Sequence, residues 1–240
     1  MEIELWNGST KAIVDPRGAW LTNLSDESGD VLFPKRLLKN ADGEIKQRGG
    51  CHVCLPNFGP GGDSGLPQHG FGRDMVWEIS DKTESSVLFE LPRGRDGYEA
   101  LSAELSYQLG ERGLVMTLDL KNKDDKAKLR VAPAFYPYFA VLGDGKVKIN
   151  GDVQLLDELH ETVFTSGESQ SLETPSRMLT LTSEQLPTWA HWTDQLGAYI
   201  CVEPTAGGYA FLKGAANDEI LQPGEMKAYA LKIEWHEKSA

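Results

Sequence analysis

Apolar and polar side chains alternate with a period of two over residues 99–107, 114–120 and 227–235. Successive strand side chains point to opposite faces, so each stretch predicts a β-strand with one face in a core and one in water. Shorter runs of the same kind recur at 3–6, 12–14, 76–79, 87–91, 129–134, 178–182 and 199–203. Gly, Pro, Asp and Asn cluster between them and predict turns. Helix signals are nearly absent: residues 183–186 accommodate one turn, and no stretch keeps a 3.6-residue period over three turns. Many short strands at close spacing predict an all-β chain, a large antiparallel β-sandwich with few or no helices. Residues 1–240 read as a single domain, since sandwiches fill this length and no linker, repeat or low-complexity tract interrupts them. The rhythm breaks between Lys39 and Arg73, where nine glycines and three prolines predict a long loop. Such loops in a compact chain usually carry function, and the Cys, His, Phe and Arg interleaved here favour that reading over disorder.

Charge narrows the function classes. With a formal net charge of −12 and a pI near 4.9, the chain lacks the cationic surface that captures phosphate backbones or anionic lipid. Nucleic acid and membrane are therefore not expected as partners, and an anionic ligand must be small and met by a local cluster of arginines. The amino terminus, Met1-Glu2-Ile3-Glu4-Leu5, has acids where a secretory signal needs a basic start. No stretch offers the ~18 apolar residues of a spanning helix. Three cysteines are too few and odd in number for a disulfide framework. These points together predict a cytoplasmic protein, a monomer or weak dimer.

The most specific string is Arg48-Gly49-Gly50-Cys51-His52-Val53-Cys54-Leu55-Pro56-Asn57-Phe58-Gly59, followed by Leu66-Pro67-Gln68-His69-Gly70-Phe71-Gly72-Arg73. It resembles the signature of the galactose-mutarotase-like family, the aldose 1-epimerases, and within it the branch acting on hexose 6-phosphates. Pro137-Tyr138-Phe139, Val202-Glu203-Pro204 and Leu221-Gln222-Pro223-Gly224-Glu225 match later family blocks in order. The resemblance implies a large antiparallel β-sandwich, a galactose-mutarotase-like supersandwich with the sugar in a cleft on one sheet. It also implies interconversion of α and β anomers without metal or organic cofactor. That chemistry needs a base to take the anomeric hydroxyl proton and an acid to protonate the ring oxygen as the ring opens.

Carried over by motif, Glu203 corresponds to the base and His69 to the histidine that hydrogen-bonds near the ring oxygen. The family's second histidine, its general acid, falls where this chain has Tyr136. A phenol stays protonated at neutral pH and can donate, but its acidity is poorly matched to a near-neutral reaction. His52, where the branch usually has proline, is a substitute acid or a substrate-binding residue, or simply packs beside Cys51. The resemblance to that branch implies that Arg48 and Arg73 ligate the 6-phosphate, for which a planar guanidinium is suited, although an arginine in this family can also hydrogen-bond sugar hydroxyls. The expected partner is thus a sugar or sugar phosphate, and the alternative is a non-catalytic sugar-binding protein that has lost the acid.

Two other patterns lead nowhere. Cys51-His52-Val53-Cys54 has C-x-x-C spacing, but residues i and i+3 of a strand point to opposite faces and no second pair completes a metal site. Gly59-Pro60-Gly61-Gly62-Asp63-Ser64-Gly65 lacks the Lys-Ser/Thr ending of a phosphate loop and predicts a segment closing over the cleft. Phe58, Phe71, Trp77, Tyr138, Phe139 and Trp192 are available for sugar stacking, none singled out over a core role.

Overall fold

The computed structural model describes residues 1–143, 145–214 and 219–238. Two nine-stranded antiparallel sheets dominate it. The first runs in the order Ile3–Asn7, Thr10–Asp15, Trp20–Asp26, Cys51–Cys54, Ala134–Ala140, Tyr199–Thr205, Thr188–Trp192, Val163–Ser166, with Gly29–Asp30 paired beside Trp20–Asp26. The second runs Asp152–Gln154, Val147–Ile149, Ser169–Glu173, Arg177–Thr182, Met226–Glu237, Gly113–Asn122, Leu101–Gly110, Ser86–Leu91, Glu78–Lys82. Among the described residues there is no α-helix, only the 3-10 turns Gly62–Ser64, Gly72–Asp74 and Leu156–Glu158.

The second sheet obeys the period of two. Leu101–Gly110 and Gly113–Asn122 pair residue for residue from Leu101 opposite Asn122 to Gly110 opposite Gly113, and their alternate side chains are buried. Residues 183–186, expected to form a helical turn, instead make a bend that lets Ser183 Oγ donate to the Ala230 carbonyl at 2.6 Å. The inner faces of both sheets meet in one core, with Leu21, Val53, Phe135 and Val202 from the first against Leu105, Met116, Leu231 and Trp235 from the second.

A charged clamp crosses that interface. Arg177 Nη1 and Nη2 donate to the two Asp26 oxygens at 2.7 and 2.6 Å, and Trp235 Nε1 donates to Asp26 at 2.8 Å. Both ionic side chains are nearly excluded from water, at 3% and 5% exposed. Burial by itself raises the Asp26 pKa, but the Arg177 and Trp235 donors outweigh it and hold the carboxyl below its ordinary value.

The stretch from Lys39 to Arg73 is not one loop. It contains Ile45–Arg48, which pairs with Arg36–Lys39 in a separate hairpin, and Cys51–Cys54, a central strand of the first sheet. Cys51–Cys54 is buried on every residue, and a strand buried on both faces loses the alternation that would announce it.

Candidate active site

Three neighbouring strands of the first sheet, Cys51–Cys54, Ala134–Ala140 and Tyr199–Thr205, have both faces covered. Cys51, Val53, Phe135, Phe139, Ile200 and Val202 enter the inter-sheet core, whereas Cys54, Tyr136, Tyr138, Tyr199 and Cys201 form a second cluster on the outer face. Glu203 follows Cys201 by two residues and so shares that outer face. Ala134 pairs with Thr205 and Tyr138 with Cys201, which sets Tyr136 across from Glu203. Tyr136 is also the cross-strand partner of His52, and their rings stack with centroids 5.0 Å apart.

His69 reaches this floor from the loop after Gly59. Its backbone N–H donates to the Gly59 carbonyl at 2.8 Å, and Gly59 N–H donates to His69 Nδ1 at 3.2 Å. An accepting Nδ1 fixes the neutral tautomer with the proton on Nε2. His69 Nε2 lies 3.2 Å from Gln68 Nε2, and with the proton on His69 Nε2 the pair is a hydrogen bond only when the Gln68 amide is turned to present its oxygen. Gly59 takes φ +68°, and a Cβ there would lie 2.2 Å from the Tyr209 ring, so only glycine fits the clamp. Burial, then the Arg73 and Arg48 charges, push the His69 pKa down to about 3. His69 is therefore a neutral hydrogen-bond donor across the physiological range, with its ring 5.0 Å from Tyr136 in a T-shaped contact.

Glu203 is fully buried, and neither of its oxygens has a hydrogen-bond partner of good geometry. Burial raises its pKa well above 4.5, and the nearby Tyr136 hydroxyl and Cys201 thiol offset this only in part. Tyr136 is buried as well, and desolvation followed by the Glu203 charge drives its pKa upward, so it holds its proton. The Tyr136 hydroxyl and the Cys201 thiol are thus the donors beside this carboxyl, which also lines the cleft.

The floor opens into a cleft of about 440 Å³ whose wall includes Phe58, His69, Tyr136, Tyr138, Trp192, Glu203 and Tyr209. The hairpin Arg36–Lys39/Ile45–Arg48 overhangs one side. Residues 44, 46 and 48 face the cleft, and Gln47 lines a separate depression on the other side. Arg48 Nε donates to Asp194 at 2.8 Å, Nη1 donates to the Gln47 carbonyl at 2.9 Å, and the guanidinium sits 5.5 Å from the Trp192 ring centre. Across the mouth, Arg73 Nη2 donates to the Gln68 carbonyl at 3.0 Å.

The cleft thus collects Glu203, His69, Tyr136, Arg48 and Arg73 on one wall system. His52 stands apart. It is 1% exposed, enclosed between Trp20 at 4.4 Å and Tyr136, with its pKa driven down first by burial, and it does not line the cleft. Phe58, Tyr138 and Trp192 face the cleft, while Phe71, Trp77 and Phe139 belong to the inter-sheet core. The run 59–65, expected to close over the cleft, contributes nothing to its wall; Gly62 packs against the Phe211 carbonyl instead. Cys51 and Cys54 point to opposite faces, and among the described residues no group of three or more His, Cys, Asp or Glu could hold a metal ion. No helix among them is long and apolar enough to cross a membrane. Sequence reasoning missed Lys46, Glu44, Gln68, Thr162 and Tyr209 in the wall and Asp194 behind Arg48. Two of them carried a signal: Gln68 stands beside His69 in the Leu66-Pro67-Gln68-His69 string, and Lys46 lies two residues before Arg48 on one face of a strand.

Comparison with known proteins gives the family and the fold. The profile of the family described as Aldose 1-epimerase matches residues 1–195. An Escherichia coli K12 protein named "Putative glucose-6-phosphate 1-epimerase" is 28% identical over 129 residues, which are 50% of this chain and 43% of that protein. A Salmonella typhimurium protein of the same name is 25% identical over 134 residues, 51% of this chain and 44% of its own. The chain therefore matches less than half the length of these curated relatives. The crystal structure of a galactose mutarotase-like protein from Lactobacillus casei superposes with a TM-score of 0.79 at 21% identity, covering 98% of this chain and 100% of that one. That likeness shows the fold.

Proposed function

Because the chain belongs to the aldose 1-epimerase family, we propose that it interconverts the α and β anomers of an aldose, with a hexose 6-phosphate as the preferred substrate. One observation carries the reading: Glu203, a fully buried carboxyl, faces the same cleft as two neutral donors, the Nε2–H of His69 and the hydroxyl of Tyr136. In the proposed reaction Glu203 takes the proton of the anomeric hydroxyl while the bond from C1 to the ring oxygen breaks. Tyr136 delivers its proton to that oxygen, and the His69 Nε2–H holds the oxygen in place by a hydrogen bond. Rotation about the C1–C2 bond and the reverse transfers close the ring as the other anomer.

A base that is desolvated is a stronger base than a solvated carboxylate, which is the sense of the raised Glu203 pKa. Donation by Tyr136 is aided at the moment it is needed. Once Glu203 has accepted a proton, the negative charge that opposes a phenolate beside it is gone. His52 acts through the Tyr136 ring it stacks on, as a positioning residue. Arg48, braced by Asp194 and Trp192, and Arg73 bind the phosphate from opposite sides of the mouth.

The test is saturation-transfer NMR on α-glucose and α-glucose 6-phosphate. Exchange faster than in buffer, lost in Glu203→Gln, is expected; exchange at the buffer rate, or undiminished in the variant, overturns the proposal. The high pKa of Tyr136 favours one second reading, a sugar-binding protein without catalysis. Sugar binding with no exchange, and exchange appearing in Tyr136→His, would select it.

A further inference from the structure

The hairpin Arg36–Lys39/Ile45–Arg48 belongs to neither large sheet. Its second strand turns Lys46 and Arg48, with Glu44 just before them, toward the cleft. Lys46 is half-buried there, and its Nζ is paired with Glu44 Oε2 at 3.2 Å. Glu44 is itself steadied by Asn40, whose Oδ1 accepts from the Glu44 N–H at 2.8 Å and whose Nδ2 donates to Oε2 at 3.3 Å. The cleft wall therefore carries three cations, Lys46, Arg48 and Arg73, against two carboxyls, Glu44 and Glu203. Arg48 has committed Nε to Asp194 and one Nη1 hydrogen to Gln47, which limits what it can offer an anion.

We propose that Lys46 is a specificity-determining residue that selects phosphorylated over free aldoses, with Glu44 as the internal competitor that tempers this selection; the proposal rests on the anomerase reading above. An exposed ammonium–carboxylate pair is only weakly held, so a dianion at the mouth can draw Lys46 away from Glu44. A phosphate gains from the third cation, whereas a free hydroxymethyl group gains nothing comparable. Lys46 supplies a mobile point charge beside the rigid planar fork of Arg48, and the two together suit a tetrahedral dianion better than Arg48 alone.

The readout is the ratio of kcat/KM for α-glucose 6-phosphate over α-glucose, together with calorimetric binding of inorganic phosphate. One charge-assisted hydrogen bond corresponds to about a tenfold effect. Lys46→Gln should lower the ratio about tenfold and weaken inorganic phosphate binding by a similar factor. Glu44→Gln should move both in the opposite direction, by roughly two- to fivefold for an exposed pair. Values for Lys46→Gln within twofold of the parent, or a Glu44→Gln change in the same direction as Lys46→Gln, overturn the proposal. If the parent exchanges neither sugar, the anomerase reading fails by itself, and the phosphate calorimetry still decides whether Lys46 and Glu44 set anion affinity.

Discussion

Replacing Glu203 with Gln should stabilise the protein while removing its proposed activity, and the stabilisation should grow with pH. The side chain is fully buried, no hydrogen bond of good geometry reaches either oxygen, and burial raises its pKa well above 4.5. Above pH 4.5 the unfolded chain releases this proton while the folded protein keeps it. Folding then takes up one proton, so the parent loses about 1.4 kcal/mol of stability per pH unit from this group until the folded pKa is reached. A glutamine of the same shape does not titrate and does not share the loss. The gap between variant and parent should therefore widen by about 1.4 kcal/mol per unit. With an unfolding entropy of ~2 cal/mol/K per residue over this length, that is a difference in Tm of roughly 3 °C per unit. Urea titrations followed by tryptophan fluorescence at pH 5, 6, 7 and 8 would measure it. Two parallel stability profiles would refute the reasoning, because they would mean that Glu203 is ionised and satisfied in the folded state.

The other predictions address the clamp, the loop and the acid. Asp26→Ala strands the buried Arg177 guanidinium and should cost about 3–5 kcal/mol in denaturant titrations; its carboxyl has a lowered pKa, so its contribution is present above pH 3.8 and fades as pH falls through the folded value. An Asp26→Ala protein as stable as the parent would remove the clamp from the account. Gly59→Ala forces a non-glycine residue into left-handed backbone, about 1–2 kcal/mol, and drives its Cβ into Tyr209, so both Tm and exchange rate should fall. Tyr136→Phe keeps the stacking on His52 and removes only the hydroxyl; exchange should drop by about 10²- to 10⁴-fold, and an unchanged rate would take the acid role from Tyr136. Because Glu203 must be ionised to act, kcat/KM should rise with pH on an acid limb above the ordinary carboxylate range, and a limb near pH 4.5 would contradict the burial argument.

What could be read from the sequence follows from which faces are wet. Leu101–Gly110, Gly113–Asn122 and Met226–Glu237 separate a core face from a solvent face, and the period of two marks all three. The strands that build the floor bury both faces, one in the core and one under the cleft, so Cys51–Cys54 gives no alternation and passes for loop. The glutamate, the loop histidine and the two arginines stand in strings specific enough to be recognised through resemblance. Their setting does not: His69 owes its tautomer to Gly59, ten residues back, and Arg48 is braced by Asp194, 146 residues on. His52 illustrates the converse. Its place in the motif suggested contact with substrate, and strand alternation does put it on the outer face with Tyr136, yet the Trp20 and Tyr136 rings on either side of it leave it 1% exposed.

Cys51–Cys54, Ala134–Ala140 and Tyr199–Thr205 stand in the middle of the strand order, flanked by three strands on one side and two on the other along the main path. Fraying begins at edges and rarely travels through several intact ladders, so the backbone carrying Tyr136 and Glu203 opens only when the whole sheet does. The overhanging hairpin has no such neighbours. Amide exchange in the floor should therefore require global unfolding, whereas the hairpin should exchange through local openings. Tyr136 and Glu203 stand in the interior of the sheet and Lys46 and Arg48 on the hairpin, so substitutions on the hairpin should leave the protection of the floor unchanged.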